Sequence, residues 1–457
     1  MGVAMQVDQA TSGRPGSSDR VLLGTQLLFN LGFYAVVPFL ALVLTEDFAL
    51  GGAAVGLVLG IRTFSQQGMF LLGGMLADRF GARTLILSGC AVRCLGFLTL
   101  SASLWSTDPA LSWFVVGTVL TGLGGAMFSP ALNTLVAAAE TRRTATPTPG
   151  RRVTLFAWLS VVGETGAAVG PLLGAALLGW GFATVAASGA ALFAAIGLGL
   201  WLRLPAPQRP TRPPTHPAQL STRGGGRPAS LRDRGFVAFA LIHAVDLFAY
   251  NQLYLALPTE LRRVEAGPMV LGLLLAWVSI LTVTLQIAVA RRSSRLSTPA
   301  ALRLAYLLSA CGFLVLAGSA PWNPAPGWEL VPAAIAVTLF TTSHLLALPT
   351  GLAAVTTFAG TRPTGSYFGL LATTGGITVL VGNLGVGALL DLAAAPQPAA
   401  AVPWLVLATL PILAATAIGT SWIWERPRAA APDLRPTGTG TGLVVRAHAT
   451  NTGPHRG

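Results

Sequence analysis

Twelve runs of apolar residues, each about as long as a membrane-crossing helix, constrain the fold of this chain more than any other feature. A hydrocarbon layer about 30 Å thick requires about 20 helical residues per crossing. The runs are bounded by charged residues, Gly or Pro. Their limits are 21–44, 52–76, 84–104, 112–138, 153–179, 182–202, 235–257, 269–290, 301–320, 330–354, 366–391 and 403–424. The pattern predicts an all-α integral membrane protein with twelve transmembrane helices, which we number spans 1 to 12.

The low content of charged residues supports this assignment, and the lack of catalytic motifs argues against an enzyme. Only 10% of the residues are charged, against roughly 25% in soluble domains. The three cysteines, Cys90, Cys94 and Cys311, lie inside apolar runs, where we expect small core residues rather than disulfides. The chain has no acidic cluster for a metal diphosphate, no His/Cys metal spacing and no P-loop. We therefore expect no enzymatic activity, no cofactor and no metal.

The polar segments divide the twelve spans into two sets of six. Residues 203–234 are rich in Pro, Gly and Arg and are too polar to be buried. This predicts an interdomain linker between an N-terminal bundle, 21–202, and a C-terminal bundle, 235–424. The chain begins with a polar tail, 1–20, which lacks the apolar region of a secretory signal. A Pro/Thr/Gly-rich segment, 425–457, is predicted to be a disordered tail.

The positions of the arginines predict the orientation in the membrane. The chain has no lysine, so all 29 of its basic residues other than histidine are arginine, and 25 of them lie in the tails, the linker and the even-numbered loops. The positive-inside rule then places both termini in the cytoplasm. We accordingly attribute the net charge of +13 to the orientation of the chain in the membrane and to attraction between its arginines and anionic lipid headgroups. No basic cluster is combined with an aromatic platform, so nucleic acid is not expected as a partner.

A short polar segment between spans 2 and 3 reads GGMLADRFGAR, residues 73–83. It resembles the G-x-L-A-D-R-x-G-x-R signature of the major facilitator superfamily. The resemblance implies two six-helix bundles related by a pseudo-two-fold axis and a transport cycle of alternating access around a midplane cavity. The matching positions are Gly74, Leu76, Ala77, Asp78, Arg79, Gly81 and Arg83.

Within that signature, the resemblance implies a conformational latch formed by Gly74, Asp78, Arg79, Gly81 and Arg83. The family architecture would bring Asp78 near the N-terminus of span 11, around residues 365–367. A carboxylate is stabilised beside a helix N-terminus, so the contact would favour the state that is closed on the cytoplasmic side. The alternative is that Asp78 only caps its own turn.

Span 5 contains a second glycine-rich segment, VVGETGAAVGPLLG. It resembles the antiporter motif of the superfamily, in a helix that packs between the two bundles of drug exporters. Small residues permit close helix approach, and the proline removes one backbone hydrogen bond. The motif favours export, although Gly/Ala-rich helices are also common in membranes for packing alone. The motif residues are Gly163, Gly166, Gly170, Pro171 and Gly174.

Further segments narrow the resemblance to the MdtH-type branch of the drug:proton antiporters. They are GIRTFSQQG (60–68), GLGGAMFSP (122–130), TGSYFG (364–369) and LLDL (389–392). This implies multidrug efflux, hence antibiotic resistance, from the inner membrane of a bacterium by a protein that is a monomer by default. The alternative is a proton-coupled or facilitative importer of a small metabolite. Many antiporters have an arginine where this chain has Thr118, so any proton coupling must use other groups.

Ionisable residues within the spans are the candidates for those groups, because charges in a membrane are costly and are usually functional. Glu164 lies about 18 Å along the helix from Arg152, and Asp246 about 18 Å from Arg234, so both are near mid-membrane. A carboxylate away from bulk water can hold a proton and release it when water or a cationic drug arrives. The alternative is that each is permanently paired with an arginine. The proton-coupling candidates are Asp246, Glu164, His243, His344, Arg62 and Arg93.

In this superfamily, spans 1, 4, 7 and 10 line the central cavity. Aromatic walls with a few polar groups suit amphipathic organic molecules. Each such residue could instead face a neighbouring helix. The cavity candidates are Asn30, Tyr34, Asn133, Tyr250, Asn251 and Tyr254, with Gln252 beside them.

Overall fold

A computed structural model of the chain describes residues 17–105, 109–144, 154–203, 229–293, 295–322, 327–360, 362 and 364–424. The side chains at positions 17, 18, 71, 74, 75, 77, 78, 143, 144, 229 and 421 lie outside that description. Most of the predicted linker also lies outside it, as do the predicted N-terminal tail before residue 17 and the whole predicted C-terminal tail.

The described residues form helices and no strand, and they follow the predicted order of spans. Span 1 starts as Ser17–Val36 and continues through a 3-10 turn, Val37–Phe39, into Leu40–Glu46. The remaining spans of the first half are Gly52–Gln67 with Phe70–Phe80 (span 2), Ala82–Ala102 (span 3), Leu111–Thr144 (span 4), Leu155–Leu178 (span 5) and Phe182–Arg203 (span 6).

The second half repeats the arrangement after a short helix, Ala229–Arg232. Its spans are Arg234–Arg263 (span 7), Pro268–Ser293 (span 8), Thr298–Ser319 (span 9), Val331–Ala359 (span 10), Gly365–Leu390 (span 11) and Ala401–Ala417 (span 12). Short 3-10 turns, Asp391–Ala393 and Pro398–Ala400, join spans 11 and 12, and a last helix covers Ser421–Trp424.

Span 2 differs from the other spans because it is broken in the middle. Eleven helices of the described residues are long and apolar enough to cross a membrane. Span 2 is divided into segments of 16 and 11 residues by a turn at Gly68 and Met69, and neither segment alone reaches the length of a crossing. At the break, Gly376 of span 11 packs against Gly68 and Phe64. The twelve-span fold is thus built from eleven long helices and one broken one.

Four predicted ends, those of spans 4, 7, 10 and 12, differ from the structure by five to seven residues, and local packing explains two of them. Span 7 does not end before Pro258 but continues to Arg263, because the loss of one backbone hydrogen bond is outweighed by burial of the last turn. In that turn Arg263 forms a 2.6 Å ion pair with Glu260. Span 12 ends at Ala417 rather than near residue 424. The indole Nε1 of Trp424 donates to the carbonyl of Ile418 (3.0 Å), which holds the following chain as a separate short helix.

The helix packing repeats with an offset of six spans, as a pseudo-two-fold axis requires. In the first half, span 1 packs on span 5, span 3 on spans 4 and 6, and span 2 on span 4. In the second half, span 7 packs on span 11, span 9 on spans 10 and 12, and span 8 on span 10. The two extensive contacts between the halves, span 2 with span 11 and span 5 with span 8, are also exchanged by this operation.

The contacts between the halves lie towards one end of the molecule. We call it the odd-loop end, because the connections between spans 1 and 2, 3 and 4, and so on lie there; the opposite end is the even-loop end. Along span 2, the glycines at 52, 56 and 60 lie against the span 11 residues 387, 383 and 380. At the odd-loop end itself, Asp391 accepts hydrogen bonds from the backbone amide of Gly52 at 2.9 and 3.2 Å. The halves are therefore closed together at the odd-loop end.

The even-loop end is organised differently. The main hydrophobic core contains residues of both halves. A second core contains only residues of the second half, including Phe236, Phe239, Tyr306 and Tyr367 near the even-loop end. The second segment of span 2, Phe70–Phe80, packs on spans 3 and 4 of its own half more extensively than on span 11. At this end, each half is stabilised mainly by packing among its own helices.

Candidate functional site

An acid–histidine pair lies in the middle of the second half. The Nδ1 atom of His344 in span 10 is 2.9 Å from a carboxylate oxygen of Asp246 in span 7. The ring of His344 stacks on that of Tyr250, with centroids 4.0 Å apart and planes inclined by 13°. The side chain of Asp246 is 6% exposed and that of His344 is 19% exposed. The carboxylate of Asp246 is therefore desolvated, whereas the imidazole of His344 remains partly accessible.

Glu164 of span 5 brings a second carboxylate to the same region from the first half. It lies near Ser279 of span 8 and is within electrostatic range of His344. It also interacts with Tyr250 of span 7. The two acids predicted to lie near mid-membrane therefore approach the same histidine from opposite halves.

Two further tyrosines complete this group. Tyr34 of span 1 interacts with Tyr254 of span 7 across the halves, and both are within electrostatic range of Glu164. Four of the six side chains come from aromatic residues, including His344, so the walls are largely apolar with polar atoms at their tips. We call the set the central cluster: Tyr34, Glu164, Asp246, Tyr250, Tyr254 and His344.

The other predicted histidine, His243, has a different environment. Its Nδ1 lies 3.0 Å from the hydroxyl of Tyr306 in span 9, and its ring stacks on Phe239 with centroids 5.4 Å apart. A side chain at Gly351 of span 10 would collide with its ring. His243 is therefore a buried packing residue with one polar partner, one turn from Asp246.

The two buried arginines are not paired with the acids. Arg62 donates from Nη2 to Gln66 at 2.8 Å and lies over the ring of Phe33. Arg93 donates from Nε and Nη2 to the carbonyl of Thr121 in span 4, at 3.1 and 2.9 Å. Neither has a carboxylate partner among the described residues. Among the described residues, neither arginine therefore forms the permanent pair with Asp246 or Glu164 that was the alternative.

Arg93 places its charge against Thr121 and Gly125 of span 4, one to two turns beyond Thr118, the position where many antiporters have an arginine. Thr118 is buried there, and its hydroxyl donates to the carbonyl of Phe114. Gly124 and Gly125 have no side chains, which leaves room for the Arg93 side chain against span 4. The segment GLGGAMFSP thus accommodates a cation that is carried by span 3.

Of the predicted amide residues, two lie apart from the central cluster. Asn30 donates to the carbonyl of Gly163 at 2.9 Å and accepts from Gln26, so it joins spans 1 and 5. Asn133 is exposed on span 4 towards the even-loop end and has no hydrogen-bond partner among the described residues. Neither is directly connected to the cluster.

Asn251 belongs to a buried amide network that sequence reasoning missed. Asn383 of span 11 donates to Asn251 (2.9 Å) and accepts from Gln252 (3.1 Å). Asn251 also donates across the halves to the hydroxyl of Thr63 in span 2, at 3.3 Å. An amide within the apolar run of span 11 was a signal that could have identified Asn383. The network fixes the contact between spans 2, 7 and 11 and is not part of the cluster.

The glycines of the antiporter motif face their own half. Side chains at Gly166, Gly170 and Gly174 would collide with the backbone of span 1, and Gly163 lies against Gln26 and Asn30. Among the motif residues, Pro171 contacts the other half, because its carbonyl lies against Gly272 of span 8. Span 5 therefore contacts span 1 with its glycine face and span 8 with another face.

The signature between spans 2 and 3 is only partly described. Gly81 has a φ of 84°, a left-handed conformation that favours glycine. Arg83 donates to the carbonyl of Trp201 in span 6 (3.1 Å), and Arg79 is exposed beside Phe80. The side chain of Asp78 and the environment of Gly74 lie outside the described residues. The contact expected between Asp78 and span 11 is thus a prediction.

Comparison with known proteins supports the fold and the family resemblance indicated by the sequence motifs. Residues 22–383 match the family described as Major Facilitator Superfamily. The chain is 32% identical over 413 residues to "Multidrug resistance protein MdtH" of Shigella dysenteriae serotype 1 (strain Sd197) and of Escherichia coli (strain K12 / DH10B). Each match covers 90% of this chain and 94% of the relative. The predicted resemblance to the MdtH type is confirmed.

Solved structures share the fold at low sequence identity. One is a POT family transporter in complex with 5-aminolevulinic acid, with a TM-score of 0.69 and 13% identity over 90% of this chain and 98% of that one. Another is the nucleoside transporter NupG, with a TM-score of 0.68 and 13% identity over 90% of this chain and 100% of that one. Because the family model matches residues 22–383 and the MdtH relatives are 32% identical over 90% of the chain, the chain is a membrane transporter rather than an enzyme, and it belongs to the major facilitator superfamily.

Proposed function

We propose that this chain exports small amphipathic organic molecules from a bacterial cell, by alternating access and in exchange for protons. The observation that carries the proposal is the central cluster, in which Asp246 and Glu164 approach one histidine from opposite halves. The MdtH relatives are described as multidrug resistance proteins, which supports efflux. The position in the inner membrane with both termini in the cytoplasm is part of the proposal.

The central cluster suits an amphipathic substrate with a cationic group. Tyr34, Tyr250 and Tyr254 provide aromatic surface, on which a cation gains attraction from the ring. The carboxylates of Asp246 and Glu164 provide the matching charge. The cluster has few polar groups that could fix a single ligand orientation, as expected for a site that accepts several compounds.

Exchange of substrate for protons follows because a proton and the cationic group of the substrate compete for the same carboxylates. A carboxylate in a desolvated site is stabilised either by a proton or by a neighbouring cation. The contact of Asp246 with His344 holds the carboxylate when neither substrate nor an extra proton is bound. A bound cation would favour release of the proton, and protonation would favour release of the cation.

Alternating access requires two states, one in which the halves are closed together at the odd-loop end and one in which they are closed together at the even-loop end. The contacts of spans 2 and 11 and of spans 5 and 8 close the odd-loop end. If the termini are cytoplasmic, this is the inward-facing state. In the opposite state, Asp78 would contact the N-terminus of span 11 and close the even-loop end. The proposed latch consists of Gly74, Asp78, Arg79, Gly81 and Arg83.

The decisive experiment measures dye uptake and proton movement in everted membrane vesicles. We expect the wild-type protein to accumulate a fluorescent organic cation in the vesicles when the interior is acidified. Asp246→Asn and Glu164→Gln, tested separately, should abolish or weaken the coupling, because an amide cannot exchange a proton. Asp246→Glu is the matched control that retains a carboxylate.

Two outcomes would contradict the proposal. Unchanged proton coupling in both amide variants would remove these acids from the mechanism. The importer alternative predicts uptake by intact cells and no accumulation in everted vesicles, and that result would reverse the direction.

A further inference from the structure

Two arginines at the odd-loop end are exceptions to the distribution of basic residues in this chain. They are adjacent, Arg262 and Arg263, in the last turn of span 7. Arg263 is buried, pairs with Glu260 at 2.6 Å and donates to the carbonyl of Trp322 at 3.1 Å. Arg262 is exposed, and its guanidinium has no hydrogen-bond or ion-pair partner among the described residues. The end of span 7 is therefore fixed by one arginine and presents the other without a partner.

A small cavity at this end places Arg262 near Asp391. Spans 1 and 2 line the cavity from the first half, where Thr45 and Gly52 are among the lining residues. Spans 7 and 11 line it from the second half, with Arg262 and Asp391 among them. No ion pair joins these two side chains in the part of the chain that the structure describes. The second half thus contributes a cation and a carboxylate that share one cavity without being paired.

The carboxylate of Asp391 is bound instead by the first half. Its two oxygens accept from the backbone amide of Gly52 at 2.9 and 3.2 Å, and Gly52 is the first residue of the helix Gly52–Gln67. A helix N-terminus stabilises a carboxylate. A Cβ atom at position 52 would lie 2.9 Å from the carboxylate and would collide with the backbone carbonyl of Gly387. The contact therefore exists only while spans 2 and 11 are packed closely together.

Opening of the odd-loop end would leave Asp391 without Gly52 but still near Arg262. Spans 7 and 11 pack on each other within the second half, so both residues would move together away from span 2. Arg263 is not available, because it is already paired with Glu260. A guanidinium donates charge-assisted hydrogen bonds to a carboxylate, and the long stem of an exposed arginine lets its head move between partners. Arg262 is thus the cation available to Asp391 once Gly52 has moved away.

This arrangement is not a product of the internal repeat. The operation that exchanges the halves relates the contact of spans 2 and 11 to the contact of spans 8 and 5. Span 5 ends at Leu178, and the sequence contains no acid between residues 165 and 232, so this end of span 5 has no equivalent of Asp391. Span 1 ends in an acid, Glu46, where span 7 ends in an arginine. The combination of a carboxylate and an arginine at this cavity is therefore specific to the second half.

We propose that Asp391 exchanges partners as the odd-loop end opens, from the backbone amide of Gly52 in the first half to the guanidinium of Arg262 in its own half. Arg262 is then a positioning residue that stabilises the open state, because it pairs with a carboxylate that has lost its partner. The inference rests on the alternating access of the proposed function and adds the residue that offsets the opening of this gate.

Distances between spin labels on the two halves at the odd-loop end measure the exchange. The full-length protein is reconstituted in lipid nanodiscs, and its open and closed populations are measured without ligand and with ethidium, a fluorescent organic cation. We expect Arg262→Gln to lower the ratio of open to closed molecules by about twofold, as an exposed ion pair allows. The pair with Arg262 forms in contact with water, so its effect should not exceed that of the Gly52 contact.

Three further measurements assign the effect to the pair. Arg262→Lys should retain most of the open population, since it retains the positive charge. Arg303→Gln is the control for loss of an exposed positive charge, because Arg303 lies at the even-loop end, and it should leave the odd-loop distances unchanged. In an Asp391→Asn background, Arg262→Gln should have no further effect, because the carboxylate with which Arg262 would pair is gone.

The outcomes separate the exchange from the proposed function. A shift of Arg262→Gln towards the open state would mean that Arg262 stabilises the closed contact. No shift, or an equal shift with and without Asp391→Asn, would mean that Asp391 is not its partner. Each of these results overturns the exchange and leaves alternating access intact. A wild type that stays closed at the odd-loop end under both conditions would contradict alternating access, and the exchange with it.

Discussion

The two ends of the molecule are built on different principles. At the odd-loop end, glycines of span 2 allow its backbone to contact span 11, and Asp391 caps the first turn of span 2 across the halves. At the even-loop end, the second half has a hydrophobic core of its own. The contact of span 2 with span 11 thus combines close backbone approach at Gly52 and Gly56 with one carboxylate, whereas the packing of the second core stays within one half.

The largest expected effect is at the glycine contact. A Cβ atom at Gly56 would collide with the backbone carbonyl of Asn383 in span 11. Gly56→Ala should destabilise the state that is closed at the odd-loop end by about 1–3 kcal/mol, the usual cost of overpacking. Distances between spin labels on the two halves at that end should increase.

The matched control for this prediction is Gly385→Ala. Gly385 lies on span 11 in the same region, and a Cβ atom there has no neighbour within 4 Å. We expect no change of the label distances in that variant. Equal effects of the two substitutions would show that helix propensity, and not the contact between the halves, determines the result.

A smaller effect is expected at the opposite end. Asp78→Asn should weaken the proposed latch by about 0.3–2 kcal/mol, because a neutral amide gains less from a helix N-terminus. Transport should decrease without loss of membrane insertion, and spin-label distances at the even-loop end should shift towards the open state. Full activity with unchanged distances would mean that Asp78 only caps its own turn.

The smallest effect is expected for Asp391→Asn. The amide oxygen can still accept from Gly52, and only the charge is lost at an exposed position. We expect about 0.3–1 kcal/mol, or a shift of roughly two- to fivefold towards opening of the odd-loop end. The same spin-label measurement would sharpen the comparison, because Asp78→Asn and Asp391→Asn should shift the equilibrium in opposite directions. Shifts in the same direction would contradict two opposing gates.

Much of the candidate site could be predicted because ionisable residues are rare within the spans. Asp246, Glu164 and His344 were selected for their depth in the membrane, and the structure brings them together. Their partners could not be predicted. Asp246 pairs with His344 and not with an arginine, and His243 turns to Tyr306, since these outcomes depend on the rotation of each helix about its axis.

The amide residues show the same limit. Asn251 was expected in the cavity because of its position on span 7, but it contacts Thr63 and Asn383 between the halves. Asn30 donates a hydrogen bond to the backbone of span 5 and is not part of the cluster. A polar residue in an apolar run has to find a partner, and the sequence does not indicate whether that partner is a neighbouring helix or a ligand.

The sequence by itself determined that the chain crosses a membrane, the order of its spans, the division into halves and the family. These follow from hydrophobic length and from a short local signature, which need no information on distant contacts. Only the tertiary structure decided that span 2 is broken at Gly68, that the odd-loop end is closed and that Arg62 and Arg93 are not paired with Asp246 or Glu164. Those features depend on which helix faces meet, because helix packing between residues far apart in the chain sets them and local sequence does not.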